Sequence, residues 1–562
     1  MNRMTSSHQW VLGACALLCG LATRASAKPP LPDWLMLDAE YRVETVYLNP
    51  ISLNGTLTDS MSYTEQRLRL DAGLQVPDLV RIVTQADFLN GVLFGDNGDY
   101  QGGLTTTESP SAQPPEPGNG LSLTSRWPND ATWGIGLLDP SDPLNPDSYG
   151  PVLRSVQPVK VNRIYGEVML PFGLLRIGRQ PAAFGPGMSL HDGSRSNRWG
   201  VSRFSYTADR FLFATKISEA FRMIGAGPDF KPDRSMDDGV FLAMAYDQVV
   251  NDDVYRSSDD LHQALVAVQW KARSARWFGL EWKNFLLQAA FGGRFGREFN
   301  TRVFQVPVTL DFEVGPVHCL AEFAATFGHT REVSEGFAAL REPDPAKRQI
   351  HDQTIRAFGA RLLADVTIGP VVATLEFDYA SGDSDPRDET PLTTFSFARD
   401  TNVGLLLFER VLAFETARSA AVGIRNLKNL GASSFPLTEL ASDGRVQNAI
   451  VLFPQVLYRP HPSLGVRFGT MFAWSAAPVV DPVMTLLAED GLRIDDDAVN
   501  WNGGRPARYY GTELDLQLEW NFHEHFLWTV EGAVLFPGAA LRDRSGDAVN
   551  AFLFENRFTF LF

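Results

Sequence analysis

The feature that most constrains this chain is alternation with a period of two, repeated along nearly its whole length. Phe304, Val306, Val308, Leu310, Phe312 and Val314 alternate with Gln305, Pro307, Thr309, Asp311 and Glu313, so an extended segment here has one apolar and one polar face. After Gly315-Pro316 the pattern resumes as Val317, Cys319, Ala321, Phe323, Ala325 and Phe327, which reads as two strands joined by a tight turn. The same unit recurs around Gly369-Pro370. Phe358, Ala360, Leu362, Ala364 and Val366 precede that turn, and Val371, Ala373, Leu375, Phe377 and Tyr379 follow it opposite Thr374, Glu376 and Asp378. Further tight turns are expected at Pro77-Asp78, at Pro171-Phe172-Gly173, at 460–463 and at 523–525.

The opposite ends of these hairpins differ. Segments 91–157, 182–209, 330–352, 382–447 and 477–508 are long and rich in Pro, Gly, Asp and Ser. Short turns on one rim and long loops on the other, with strands exceeding the ~9–11 residues that a tilted membrane strand needs, predict an all-β, transmembrane antiparallel β-barrel. Its short turns would be periplasmic and its long loops extracellular. Counting hairpins gives about 18 strands, an even number, with 16 as the alternative. The choice between 18 and 16 turns on 210–250: Phe211 to Ile217 and Val240 to Val249 read as strands, but 225–238 is too long for a tidy periplasmic turn. At the C-terminus Phe554, Phe558, Phe560 and Phe562 share one face, interleaved with Glu555, Arg557, Thr559 and Leu561. A final strand of this kind resembles the assembly signal of bacterial outer-membrane barrels, with Phe558, Phe560 and Phe562 as its carriers and the barrel assembly machinery as its partner.

Residues 1–27 carry Arg3 in a short polar start, an apolar run from Trp10 to Ala22 and Ala25-Ser26-Ala27 before Lys28, the pattern of a cleaved export signal. The run is shorter than the ~20 residues of a spanning helix. Leu18 before Cys19 disfavours a lipoprotein site, where a small residue is wanted. Cleavage removes Cys15 and Cys19, leaving Cys319 alone, so neither an internal disulfide nor a multi-cysteine metal site is available. The expected mature protein, 28–562, is a single barrel domain; the Ser/Pro-rich stretch 105–120 falls inside a loop. The whole chain has 50 Lys+Arg against 66 Asp+Glu, and loss of Arg3 and Arg24 takes its net charge from −16 to −18. Such an acidic balance argues against nucleic acid as a partner.

Because apolar side chains must face lipid, the polar partners face inward. This phase makes Arg67, Arg69, Asp71, Arg81, Asp87, Glu376, Asp378, Glu513, Asp515 and Glu519 the candidate pore-lining residues, with Gln75, Gln85 and Gln517 between them. A barrel of about 18 strands is too wide for side chains alone to fill, so an aqueous channel narrowed by inward-folded loops is expected. Arg67, Arg69 and Arg81 are the candidates for contacting an anionic solute. The inward acids are at least as numerous, so a mild cation preference is an equal reading, as is pairing of these charges across the wall. Segment 408–427, with Phe408, Val411, Leu412 and Val422 on one side, reads as a short amphipathic helix that would plug or gate the pore if it folds inward.

Three short stretches go beyond generic barrel features: Leu175-Arg176-Ile177-Gly178-Arg179-Gln180, Tyr379-Ala380-Ser381-Gly382-Asp383, and Asn448-Ala449 before a strand ending near Arg459-Pro460. They resemble outer-membrane porins related to the alginate-export family. That resemblance implies an 18-stranded barrel conducting an anionic polysaccharide through an arginine-rich constriction.

No G-x-S-x-G or H-E-x-x-H motif occurs, so no catalytic residue is assigned and no enzyme activity is expected. His523-Glu524-His525 lacks helical spacing and reads as a solvated turn, and the acidic runs 383–389 and 495–497 read as solvated rather than as Ca²⁺ sites. No metal or cofactor is expected. The sequence therefore predicts a porin in the bacterial outer membrane, reached after export through the inner membrane. It would pass small hydrophilic solutes or saccharides by diffusion. The alternative is a closed or plugged barrel serving as a surface structural or attachment protein through its long loops.

Overall fold

The computed structural model describes residues 32–50, 53, 60–77, 79–96, 157–193, 197–202, 207–226, 230–231, 233, 235–249, 261–297, 299–331, 333–335, 338, 342, 344–384, 390–416, 442, 444–481 and 498–562. The export signal, the loop 97–156, residues 417–427 of the expected helix and the acidic runs 385–389 and 495–497 lie outside these.

Alternation is realised as 18 antiparallel strands closed into one barrel. They run β1 Leu35–Asn49, β2 Met61–Val76, β3 Val80–Asp96, β4 Gln157–Leu170, β5 Gly173–Pro181, β6 Thr207–Lys216, β7 Gly239–Val249, β8 His262–Trp277 and β9 Leu280–Gly296. The second half is β10 Thr301–Val314, β11 Val317–Thr330, β12 Gln353–Ile368, β13 Val371–Ala380, β14 Ala449–His461, β15 Leu464–Trp474, β16 Tyr509–His523, β17 Phe526–Pro537 and β18 Ala551–Leu561. Each strand pairs with its sequence neighbour, and β18 pairs back onto β1 in the register Val43↔Phe558, so no edge is left unpaired. Two-residue turns at 171–172, 278–279, 315–316, 369–370, 462–463 and 524–525 occupy one rim, shared by the start of β1 and the end of β18. This is the architecture of bacterial outer-membrane barrels, with the short-turn rim periplasmic.

The count is therefore 18, and the stretch that left it open contains a helix that alternation alone does not reveal. Between β6 and β7 lies α1, Ile217–Ala226, on the periplasmic rim. The 278–279 turn also lacks a proline signal; Phe278 and Gly279 both take positive φ, the geometry that suits a two-residue hairpin.

Outward side chains form an aromatic belt near the periplasmic ends, as interfacial rings should. Trp282 packs on Phe312 at 4.6 Å and Phe285 on Trp277 at 4.8 Å. Across the closing seam Phe558 stacks on Phe526 and Trp528 at 6.1 and 6.3 Å, and Phe560 lies 5.2 Å from Phe526 and 6.1 Å from Tyr41. Phe562 exchanges two backbone hydrogen bonds with Ala39, of 2.9 and 3.1 Å. Deleting Phe562 should remove that final pairing and lower the yield of folded barrel in the outer membrane. Heat-modifiable migration of membrane fractions reads this, and an unchanged folded fraction would contradict it.

Candidate functional site

Two loops leave the extracellular rim and descend into the lumen. The β5–β6 loop, 182–206, begins with Phe184-Gly185-Pro186-Gly187. Gly185 and Gly187 take φ of 51° and 88°, and a Cβ at either would strike Thr309 or His191, so glycine is required for the loop to lie this close to the wall. Glu322 on β11 accepts hydrogen bonds from the backbone of Met188 and Ser189 at 3.1 and 2.9 Å. Further on, Arg198 forms a two-pronged bond to Asp365 on β12 at 2.9 and 2.7 Å. Trp199 stacks on Phe453 at 5.8 Å and donates to Gln455 at 3.1 Å. The backbone of Gly200 donates to Glu531 on β17 at 2.9 Å, and Arg67 donates to the Ser202 carbonyl at 3.4 Å. The loop thus crosses the lumen from the β11–β12 wall to β17 and β2.

Described residues of the β13–β14 loop, 381–448, pack against it. Its residues Leu405 to Leu407, Phe408, Val411, Leu412 and Phe414 are buried in one apolar cluster with Met188, Trp199 and the inward side chains Val46, Val451, Phe453, Met471 and Leu535. The expected inward helix is present in its described part, as a π-helical turn at Leu407–Leu412 in which Val411 donates to the Leu406 carbonyl at 3.0 Å. Glu513 accepts the backbone N–H groups of Leu405, Leu406 and Leu407 at 2.8, 2.8 and 2.7 Å, placing a carboxylate where a helical turn leaves its donors unpaired. Arg410 binds Glu555 at 2.6 Å and the Tyr63 hydroxyl at 3.2 Å. The side of the lumen walled by β13 to β18 and β1 is therefore packed, as a protein core is.

All ten predicted lining residues point into the barrel, but most face partners there. Arg67 is buried against Glu40 at 3.1 Å. Arg69 holds Asp87 through two bonds of 2.7 and 2.9 Å, Asp71 accepts from Gln85 at 2.7 Å, and Arg81 donates to Glu167 at 2.7 Å. Glu376 accepts from Arg361 at 2.5 Å and from Gln455 at 2.6 Å, with Asp378 3.5 Å from the same guanidinium. Glu513 anchors the loop, and Asp515 is fully buried on the same strand. Glu519 lines a small cavity of about 190 Å³ beneath the β5–β6 loop.

The opposite side is open. A chamber of about 530 Å³ is walled by inward residues of β5 to β12 and by parts of both loops. Arg176, Arg210, Arg294 and Arg445 line it, together with Gln263, Gln288 and Gln305. Among its described lining residues there is no Asp, Glu, His or Cys. Arg210 is paired with Asp247 by two bonds of 2.6 Å, and Arg176 donates to Glu167 at 2.7 Å while stacking on Tyr165. Arg294 bonds only to the neutral Gln263, at 2.8 Å, and has no carboxylate partner among the described residues. Below the chamber, and sharing Ala243, Ala267 and Gln288 with it, a second cavity of about 360 Å³ leads to the periplasmic rim. Lys216, Glu219 and Asp233 line its periplasmic end. The backbone N–H of Asp233 and the guanidinium of Arg222 hold the Glu219 carboxyl below its ordinary range.

Sequence reasoning overlooked Arg294 and the chamber. A signal was available: inward positions of β7 to β9 carry Ala243, Ala245, Ala267, Ala290 and Gly292, small side chains that leave the wall hollow. An arrangement of fixed cations and neutral hydrogen-bonding groups can hydrate, attract and orient anions.

No family model matches this chain, and no curated protein does. Among solved structures it is similar in fold to the outer membrane protein OprD from Pseudomonas aeruginosa, with 10% identity over 96% of each chain and a TM-score of 0.46. OccAB1 of Acinetobacter baumannii matches with 8% identity over 94% of this chain and 96% of that chain, at a TM-score of 0.44. OpdK of Pseudomonas aeruginosa, solved with vanillate, matches with 10% identity over 94% and 98%, at a TM-score of 0.43.

Proposed function

We propose that this protein is an outer-membrane channel through which small hydrophilic solutes, preferentially anions, diffuse along the β5–β12 side of the barrel. The observation that carries this reading is the chamber lined by four arginines and no described acidic side chain. Fixed cations in a confined aqueous space raise the local concentration of anions and exclude cations. Neutral saccharides share the hydrogen-bonding complement of Gln263, Gln288 and Gln305. The packed half-lumen favours small solutes over a polymer, which narrows what the alginate-export resemblance implies. The reading is non-catalytic. It has the protein exported on the 1–27 leader and assembled through its C-terminal strand.

The test is single-channel conductance of the folded protein in a planar bilayer, with the reversal potential under a salt gradient. Steps with an anion-selective reversal potential are expected. Arg294→Gln should reduce the anion-to-cation permeability ratio severalfold, because among the described residues this guanidinium has no carboxylate to neutralise it. The triple variant Arg67→Gln, Arg69→Gln and Arg81→Gln should lose stability while changing selectivity less, because those three are engaged with Glu40, Asp87 and Glu167. Silence from protein shown to be folded would overturn the channel reading in favour of an attachment barrel. Cation selectivity would overturn the role of the chamber.

A further inference from the structure

We propose that the periplasmic turn between β16 and β17 is a binding site for a late first-row divalent cation of the Zn²⁺ or Cu²⁺ type, with His523, Glu524 and His525 as its ligands. In sequence these three residues are an ordinary polar turn. The fold adds proximity, orientation and access.

One ligand atom from each of the three lies within 4.8 Å of the others, and the two imidazole rings stand 5.4 Å apart at 31°. Nε2 of His525 is already 3.7 Å from a carboxylate oxygen of Glu524. A tetrahedral ion with bonds of about 2.0–2.1 Å to nitrogen separates its ligand atoms by about 3.4 Å. All three side chains are exposed, Glu524 and His525 in the two-residue turn and His523 at the end of β16, so rotation of the His523 and Glu524 side chains closes the remaining gap without moving a strand.

The second observation is the tautomer of His525. Its Nδ1 lies 2.8 Å from the carbonyl oxygen of Leu561 in β18. A carbonyl can only accept, so Nδ1 carries the proton and Nε2 presents its lone pair to the turn. Imidazoles that ligate metals are oriented by the same second contact, from the far ring nitrogen to a backbone carbonyl or carboxylate. The turn is pinned there from both sides, since the Leu561 N–H donates to the His525 carbonyl at 2.9 Å. Two imidazoles and one carboxylate make an N₂O donor set, which suits Zn²⁺ and Cu²⁺ rather than Ca²⁺ or Mg²⁺, and leaves a fourth position for water. Because His525 is bonded to β18, a bound ion also ties the β16–β17 turn to the C-terminal strand end.

The proposal is independent of the channel reading. The untagged full-length protein, folded in detergent, is titrated with ZnCl₂ by calorimetry, and Cu²⁺ is added separately for electron paramagnetic resonance. One equivalent of Zn²⁺ should bind, and the Cu²⁺ spectrum should report two nitrogen ligands. The double variant His523→Ala, His525→Ala should bind at least about tenfold more weakly, while His461→Ala, at a different turn, should bind as the parent does. Zn²⁺ should also raise the unfolding midpoint of the parent and not of the double variant. Absence of binding by the folded parent, equal affinity in the double variant, or a spectrum with no imidazole nitrogen would each overturn the site.

Discussion

Arg557→Leu should destabilise the barrel by about 3–5 kcal/mol, the range for removing one member of a buried ion network. Arg557 points inward from β18, and a single guanidinium reaches Glu44 at 2.8 Å, Glu531 at 2.8 Å and Glu555 at 3.4 Å. The four side chains are at most 5% exposed. Glu44 stands directly opposite Arg557 in the β1–β18 register, and Glu531 belongs to β17, so the arginine spans the seam where the barrel closes. Leucine fills most of the volume but leaves three carboxylates together out of water, with Arg410 still bonded to Glu555. Unfolding by denaturant in detergent, followed through tryptophan fluorescence, measures the loss. Adding Glu44→Gln to the variant should recover part of it, because one unpaired charge is then removed. A loss below about 1 kcal/mol, as for an exposed pair, would mean that water reaches this network.

Replacing residues 383–446 by a short Gly/Ser linker should raise single-channel conductance severalfold and move selectivity towards cations. The β13–β14 loop supplies most of the apolar filling of the β13–β18 side of the lumen, through the cluster around Leu405 to Phe414, with Met188 and Trp199 of the β5–β6 loop beside it. Its removal leaves a second water-filled lane. That lane would be lined by Glu376, Asp378, Glu513, Asp515 and Glu555, all now buried. The loop also takes Arg410 with it, so the exposed wall loses a cation as it gains acids. The larger cross-section raises conductance, and the acidic wall attracts cations. Glu513→Ala is the milder form of the same experiment. It deprives three backbone N–H groups of their acceptor and should give intermittent large openings instead of a permanently wide pore. A folded loop-replacement variant with parental conductance would show that this side of the lumen is closed by something other than the loop.

These two expectations also explain why the charges could not be assigned from the sequence. The inward acids are as abundant as alternation suggests, yet Glu322, Glu513 and Glu531 receive loop backbone N–H groups and Glu376 receives Arg361. Counting inward charges weighs such residues equally with Arg294, whose guanidinium meets the open chamber.

What the sequence determined by itself was everything governed by short-range periodicity and by lipid. A strand in a bilayer must put apolar groups out at every second residue and pair all its backbone groups with neighbours. Alternation such as Phe304 to Val314 therefore specified strands, facing and hairpin order, while loop length specified the two rims, and the C-terminal phenylalanines marked the closing strand. What only the tertiary structure decided was the path of the loops inside that wall. Leu405 meets Glu513 across 108 residues of chain and Gly200 meets Glu531 across 331, and no local pattern records such meetings. The wall follows from nearest-neighbour pairing under a lipid constraint that acts on every residue alike. The interior follows from a few long-range contacts between loop backbone and buried carboxylates, and these choose which half of an 18-stranded lumen is packed and which remains open to water.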